Sequence, residues 1–503
     1  MNTLDGLIYG LGVATQPVVL FYCFFGVFLG TFIGVLPGVG ALAAISLLLP
    51  ITFYMPPEAA LVMLAGVYYG AQYGGSIASI LLRLPGTPQS AVTALEGYPL
   101  ARQGKAGAAL FVAMSSSFIG SILGIAILVL FAPLLAQIGT KFGAAEYFSM
   151  MLLGLVAAST VGSEAPAKAM AMVVVGMILG CVGADVNSGA LRFTFGQTEL
   201  LDGVNLVALA MGLFGISEVI SNVRTSGARK VEEKVGPKDL LRERRQLKRV
   251  KFSILRGTGL GAFFGALPGT GGTIATFLSY AVERKVSRHP EEFGKGAVEG
   301  IAGPESANNS AAITAFIPTL TLGIPGDVIM ALMLGAMIIH GVQPGPLMLV
   351  ERPEMFWGLI ASFGIGNLFL IVLNLPLIGI WVALLRIPFS YLYPAITVFV
   401  CLGVYSVRGS AFDVMSVVFI GAFGYIMALM RFNPALLLLG FVLGPLIETN
   451  LRRALLLSRG DLLVFFERPI SAVFLSATIL LIGWGVFTSL RKIRRPVRQE
   501  AGE

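Results

Sequence analysis

Apolar runs of roughly 18 or more residues, enough to cross about 30 Å of hydrocarbon, recur along almost the whole chain. They predict membrane helices at 107–133, 146–163, 167–184 and 204–222, and again at 357–385, 388–407, 410–430, 434–450 and 465–490. Two further runs are interrupted alike: residues 34–40 read GVLPGVG and residues 265–271 read GALPGTG. At an offset of 231, positions 26–40 and 257–271 agree at nine of fifteen sites. Glycines fall at every fourth residue, Gly26, Gly30, Gly34 and Gly38 against Gly257, Gly261, Gly265 and Gly269. On a helix this spacing draws one smooth stripe, along which a second backbone can approach closely.

Each stripe ends at Leu-Pro-Gly, with Pro37 and Pro268. Proline lacks an amide donor and glycine permits a reversal, so both helices are expected to break there. A second pair of breaks follows at LRLPGTP (Pro85, Gly86) and LGIPGDV (Pro325, Gly326). Broken backbone at membrane depth must be buried in protein or line a wet cavity, so two matched pairs of breaks point to a site.

Composition agrees: of 503 residues 56% are hydrophobic and 12% charged, and mean hydropathy is +0.85. Such a chain belongs in a bilayer, with no separate soluble domain. MNTLDGLIYG lacks the basic flank and cleavage site of a signal peptide, so the first apolar segment should be retained. Cys23, Cys181 and Cys401 lie far apart in apolar runs, and His289 and His340 lack partners at ligand spacing. With no phosphate loop or nucleophile elbow, metal, nucleotide and hydrolase chemistry lose their usual anchors, and no cofactor or nucleic-acid partner is expected.

Arg224–Arg256 holds twelve basic and four acidic residues and should be cytoplasmic, as should the tail with Arg491, Lys492, Arg494, Arg495 and Arg498. Residues 1–16 carry no Lys or Arg, which places the N-terminus outside. The first hairpin returns to PITFYMPP, without basic residues; the second returns to Arg284, Lys285, Arg288 and Lys295. Corresponding loops thus fall on opposite sides, the mark of an inverted repeat. Arg452 and Arg453 disagree, falling on the outer side. The expectation is an all-α polytopic membrane protein of two inverted-topology repeats with broken helices, re-entrant hairpins and about 10–12 transmembrane segments. Residues 1–222 and 257–450 would hold the repeats with their scaffold helices, 223–256 a basic cytoplasmic linker, and 451–503 the last helix and basic tail.

Transporters of this build bind substrate and ions at the midplane, so polar residues near the breaks are the candidates. The second half offers GPESANNSAA, with Glu305, Ser306, Asn308, Asn309 and Ser310, followed by Asp327. The first offers Gln72, Tyr73, Gly74, Gly75, Ser76 and Ser79, with Arg83 and Thr87 flanking the break. The Asn-Asn-Ser cluster can bind ligand or simply join helices. Arg83 can fork onto a carboxylate or snorkel as an anchor. Glu305 and Asp327 can bind sodium, carry a proton or pair with arginine. Backbone near Gly38, Gly269, Asn309 and Gly326, with Asp327, is a candidate sodium site.

The LPGVG and LPGTGG hairpins, YGGSIASILLRLPGTPQSAVTALEGYPLARQGKAGAAL, GKGAVEGIAGPESANNSAA, and LTLGIPGD followed by GVQPGP closely resemble the large membrane subunit of the tripartite tricarboxylate transporters. The resemblance covers residues 16–450. It implies a bacterial inner-membrane secondary transporter that works with a small membrane subunit and a periplasmic substrate-binding protein. The family imports tricarboxylates and other organic carboxylates on a sodium or proton gradient. Carried over, Gly38, Gly40, Gly269, Gly271, Gly272, the glycines and prolines of the breaks, Gly74–Ser76 and Ala307–Ser310 become the transport-site backbone and ligands. Ser76, Thr87 and Asn309 would complete carboxylate coordination. Arg83 departs from the family pattern, which is closer to a small polar residue there, so substrate preference can depart from citrate. A homodimer is left open. An elevator-type motion fits hairpins entering from both faces; a passive channel and a membrane-embedded enzyme are the rival readings.

Overall fold

The computed structural model describes residues 2–36, 40–160, 165–185, 188–222, 236–267, 271–385 and 389–493. Regular structure there is helical apart from one antiparallel pairing, Gly183–Ala184 with Leu191–Arg192. Among the described residues five helices are long and apolar enough to cross a membrane, and eight more apolar helices have 10–17 residues. The chain is an all-α polytopic membrane protein. The expected spans at 107–133, 357–385, 410–430 and 434–450 correspond to helices Ala106–Gly139, Pro353–Leu384, Ala411–Leu429 and Pro434–Leu457.

Two compact units, each discontinuous in sequence, make up the fold. One comprises Met1–Lys141 and Val204–Leu429, the other Phe142–Gly203 and Met430–Glu503.

The larger unit is built twice from the same parts. In the first repeat a stripe helix, Pro17–Val35, is followed by a return helix, Ala41–Thr52, a core helix, Pro57–Leu82, and a long helix, Ala106–Gly139. In the second these are Gln246–Ala266, Gly271–Val286, a core helix in two segments, Glu299–Thr314 and Phe316–Leu322, and Pro353–Leu384. The first return helix has 12 residues, or about 18 Å, too short to cross the hydrocarbon alone.

The stripes do what their spacing predicts. A methyl group on Gly26, Gly30 or Gly34 would overlap the carbonyl oxygen of Met63, Val67 or Ala71 on the first core helix. On Gly257, Gly261 or Gly265 it would overlap that of Gly303, Ala307 or Ala311 on the second. Both core helices are buried almost throughout, Ala59–Ile80 and Glu299–Leu322 without interruption. The repeats also interlock: Gly120 and Gly124 of the first long helix lie against Ser306 and Ser310 of the second core helix. The duplication is therefore one of packing as well as sequence.

The smaller unit packs Pro166–Gly180 on Pro434–Leu457 through glycines on both helices, with Gly176 on Leu437 and Gly440 on Val173. Ala144–Thr160 is tied to the last helix by a Ser149–Ser471 hydrogen bond of 2.8 Å and by Arg468 on Glu146 at 3.1 Å. Arg452, one of the two residues at odds with the charge pattern, bonds Glu448 at 2.6 Å and Asp185 at 2.9 Å, and Arg192 joins the same two acids. This ion-pair network gives Arg452 a structural reason to sit where it does.

Gly261→Ala should destabilise the protein by about 1–3 kcal/mol through overpacking. Gly259→Ala, with nothing within 4 Å of the added methyl, should be neutral or stabilising by up to about 1 kcal/mol. Thermal melts of the detergent-purified variants check this; equal midpoints for the two would dismiss the stripe as the packing element.

Candidate functional site

Both core helices stop in the same way. Arg83 ends the first in the left-handed region at φ 57°, and Gly323 ends the second at φ 67°. The chain then runs through Pro85-Gly86-Thr87 and Pro325-Gly326-Asp327. A methyl on Gly86 would stand 2.6 Å from the carbonyl oxygen of Gly34 and from Cα of Gly75. One on Gly326 would stand 3.1 Å from the carbonyl oxygen of Gly265. Each break thus rests on the last described stripe glycine of its own repeat. The hairpin tips lie beside the breaks, Gly40 near the Gly86 carbonyl (3.6 Å for an added methyl) and Gly271 near Asp327 Cβ (3.7 Å).

The residues after the breaks make equivalent bonds three positions on. The Ser90 amide donates to Thr87 Oγ1 at 3.3 Å, and the Met330 amide donates to Asp327 Oδ1 at 2.8 Å. Such bonds satisfy amides that a helix start leaves open. The remaining bonds of the two residues differ. Thr87 Oγ1 donates to Gln72 Oε1 at 3.3 Å, whereas Asp327 Oδ2 accepts from the Tyr68 hydroxyl at 3.2 Å.

Tyr68, Gln72 and Ser76 are spaced i, i+4, i+8 and line one face of the first core helix. Each reaches across to the second repeat. Tyr68 meets Asp327; Gln72 Oε1 accepts from Asn308 Nδ2 at 3.2 Å; Ser76 Oγ donates to Glu305 Oε1 at 2.7 Å. Around Gln72 the bonding is incomplete. Gln72 Nε2 and Asn308 Oδ1 are buried without partners, as is Asn309 Oδ1. A methyl on Gly272 would stand 3.5 Å from both Asn308 Oδ1 and Gln89 Cγ, so the second hairpin tip closes over this spot. The result is a buried polar cluster of Gln72, Thr87 and Asn308, made by both repeats and floored by a hairpin glycine.

The chain matches the family described as "Tripartite tricarboxylate transporter TctA family" over residues 20–439. It belongs to the tripartite tricarboxylate transporter TctA family. It is 48% identical to a protein of Agrobacterium vitis over 497 residues, 99% of each chain, described as "Uncharacterized 52.8 kDa protein in TAR-I ttuC' 3'region". A second Agrobacterium vitis protein, "Uncharacterized protein in TAR-II ttuC' 3'region", is 51% identical over 237 residues, 47% of this chain and 98% of the relative. No solved structure matches.

In this TctA-family chain the expected site residues separate into groups. Thr87, Asn308 and Gly272 meet at the cluster, with Gly40, Gly75 and Gly86 in the backbone beside Thr87, whereas Gly271 and Gly326 lie at the second break. Asn309 lies beside it, its Nδ2 donating to the Glu305 carbonyl at 3.0 Å. Ser76 belongs instead with Glu305. Gly74 packs on Thr31 of the stripe helix. Ser306 and Ser310 turn toward neighbouring backbone, bonding the carbonyls of Gly303 (2.9 Å) and Thr258 (3.1 Å). Pro85 is exposed and Pro325 buried. Pro37, Gly38, Pro268 and Gly269 lie outside the described residues.

Arg83 is exposed, its guanidinium 5.9 Å over the Tyr98 ring, and does not join the cluster. Asp327 and Glu305 make no ion pair with an arginine or lysine among the described residues; their partners are hydroxyls and, for Asp327, backbone amide. Sequence reasoning passed over Tyr68, Gln89, Thr93 and Ser117. Tyr68 was detectable, one turn before Gln72 and two before Ser76. Thr93 and Ser117 carry no such signal, because only the tertiary fold brings them to Glu305.

Arg83→Gln should leave uptake within about threefold of wild type. A loss beyond about tenfold at equal membrane content, the size expected for a missing charge-assisted bond to substrate, would move Arg83 into the site.

Proposed function

We propose that this chain is the large membrane subunit of a binding-protein-dependent secondary transporter that imports an organic carboxylate on a sodium or proton gradient. In this reading it sits in the bacterial inner membrane with the N-terminus outside and the C-terminus in the cytoplasm. It works there with a small membrane subunit and a periplasmic substrate-binding protein. Family membership supports the partners and the substrate class. The observation that carries the site is the buried Gln72–Thr87–Asn308 cluster, where amide atoms from both repeats lack protein partners.

A buried polar atom without a partner is expensive, and a site that holds several is built to have them satisfied by something else. Gln72 Nε2 offers a donor without a protein partner, and the Thr87 hydroxyl and Asn308 Nδ2, which both donate to Gln72 Oε1, can turn to an arriving carboxylate in its place. Neutral donors of this kind suit a carboxylate that arrives with its charge and must leave again, since a buried arginine would hold it tightly. Because the ligands come from two repeats and the hairpin glycine Gly272, a small displacement of one repeat against the other would assemble or dismantle the site.

The test is uptake of a labelled carboxylate panel by liposomes holding this chain with its small subunit and binding protein, with and without an ion gradient. Uptake should require both the gradient and the binding protein. Asn308→Ala should lower it by about tenfold or more, the loss expected when a buried hydrogen-bonding group is removed, without reducing membrane insertion. Flux down the substrate's own gradient without ion or binding protein would make the chain a channel.

A further inference from the structure

One turn along both core helices from the amide cluster is a second buried constellation, centred on Glu305. Its carboxylate is 1% exposed and accepts hydrogen bonds from three hydroxyls on three helices. Ser76 Oγ on the core helix donates at 2.7 Å, Ser117 Oγ on the long helix donates at 2.9 Å, and Thr93 Oγ1 on the short helix Thr93–Leu100 donates to the same oxygen as Ser76. All three donors belong to the first repeat and the acid to the second. Four acids and two arginines near it have partners of their own. Arg249 bonds Glu299 and Glu292, Arg256 bonds Glu283, and Glu96 accepts from Tyr280 and backbone amides. The long helix Ala106–Gly139 contains no ionisable residue, and the Tyr73 hydroxyl bonds Asn367.

We propose that Glu305 is the site at which the transporter takes up and releases a proton, within its cage of Ser76, Thr93 and Ser117. This rests on the transport reading above. A hydroxyl can donate or accept, so the cage fits the acid in either charge state. With the carboxylate ionised, three hydroxyls donate to it. With a proton bound, the acid donates to one hydroxyl oxygen, and Ser76 can turn its hydrogen to the Gln72 carbonyl, 3.2 Å away. A fixed arginine or lysine partner could not adapt in this way. The proton arrives from water on one side and leaves to water on the other; the site alternates between one negative charge and none. Because the bonds join the two repeats, the charge state alters how firmly they are held together. The link to substrate is short: Ser76 is one turn from Gln72, and Asn309 bonds the Glu305 carbonyl.

Two measurements on the reconstituted full chain separate this assignment from the transport reading. Infrared difference spectra across a pH series read the protonated carboxyl directly, without transport. One carboxyl band should titrate in wild type, vanish in Glu305→Gln, and shift its midpoint in Thr93→Val but not in Ser116→Ala, a buried neighbour that makes no bond to the acid. A titration unchanged by Glu305→Gln, or one whose midpoint moves with sodium concentration, would overturn the assignment. Should Glu305→Gln not fold, the Thr93→Val comparison with Ser116→Ala decides alone. In the second measurement, Glu305→Gln should abolish gradient-driven accumulation while retaining exchange of internal for external substrate; unimpaired accumulation would also overturn it. Absence of exchange in wild type is a failure of the transport reading and leaves the infrared result to stand by itself.

Discussion

Backbone contact between the stripe and core helices is the constraint from which the larger unit follows. In lipid, apolar side chains have little reason to prefer one another to acyl chains, so helices are held by close packing and by polar contacts between them. Glycines at every fourth position let each stripe helix lie directly on the carbonyls of its core helix, and further elements cover the remaining faces. The core helices are thereby removed from both lipid and water. That burial allows them to carry Tyr68, Gln72, Ser76, Glu305 and Asn308, provided that each finds a partner across the repeat boundary.

The same contact sets the breaks. Gly86 and Gly326 pass so close to the last described stripe glycine that a side chain would push the loop away. Held there, the loop delivers Thr87 and Asp327 at equivalent points, and the hairpin tips at Gly40 and Gly271 come to rest beside them. A methyl on Gly261 would strike the Ala307 carbonyl, one residue before Asn308, and so would disturb the core helix where it carries the polar cluster.

Much of this was legible in the chain. The offset repeat, the glycine period and the paired Pro-Gly breaks marked where both stripe helices and both core helices end, because each is dictated by backbone geometry that few residue types satisfy. Thr87 and Asn308 stood out as polar residues near those breaks, and the structure brings both to Gln72. The partner sets were not legible. Ser306 and Ser310 look like Asn308 in sequence, but their places on the helix turn them toward packing neighbours. Ser117 looks like any hydroxyl in an apolar run until the long helix brings it to Glu305. Arg83 drew attention as a charge at a break, whereas its position is that of a helix end, matched by Gly323.

The duplicated backbone carries unequal chemistry, and the inequality gives the site a direction. At one break the residue is a neutral threonine that bonds the Gln72 amide; at the other it is an aspartate held by a tyrosine and a backbone amide. An anion about 4 Å from an ionised carboxylate at an effective dielectric constant near 20 is repelled by roughly 4 kcal/mol, and Thr87 carries no such charge. In the transport reading proposed above, a carboxylate would therefore be placed at the Thr87 break and not at the Asp327 break. Duplication supplies two loops of the same shape, and a single substitution between Thr87 and Asp327 is enough to keep them from being interchangeable for a charged ligand.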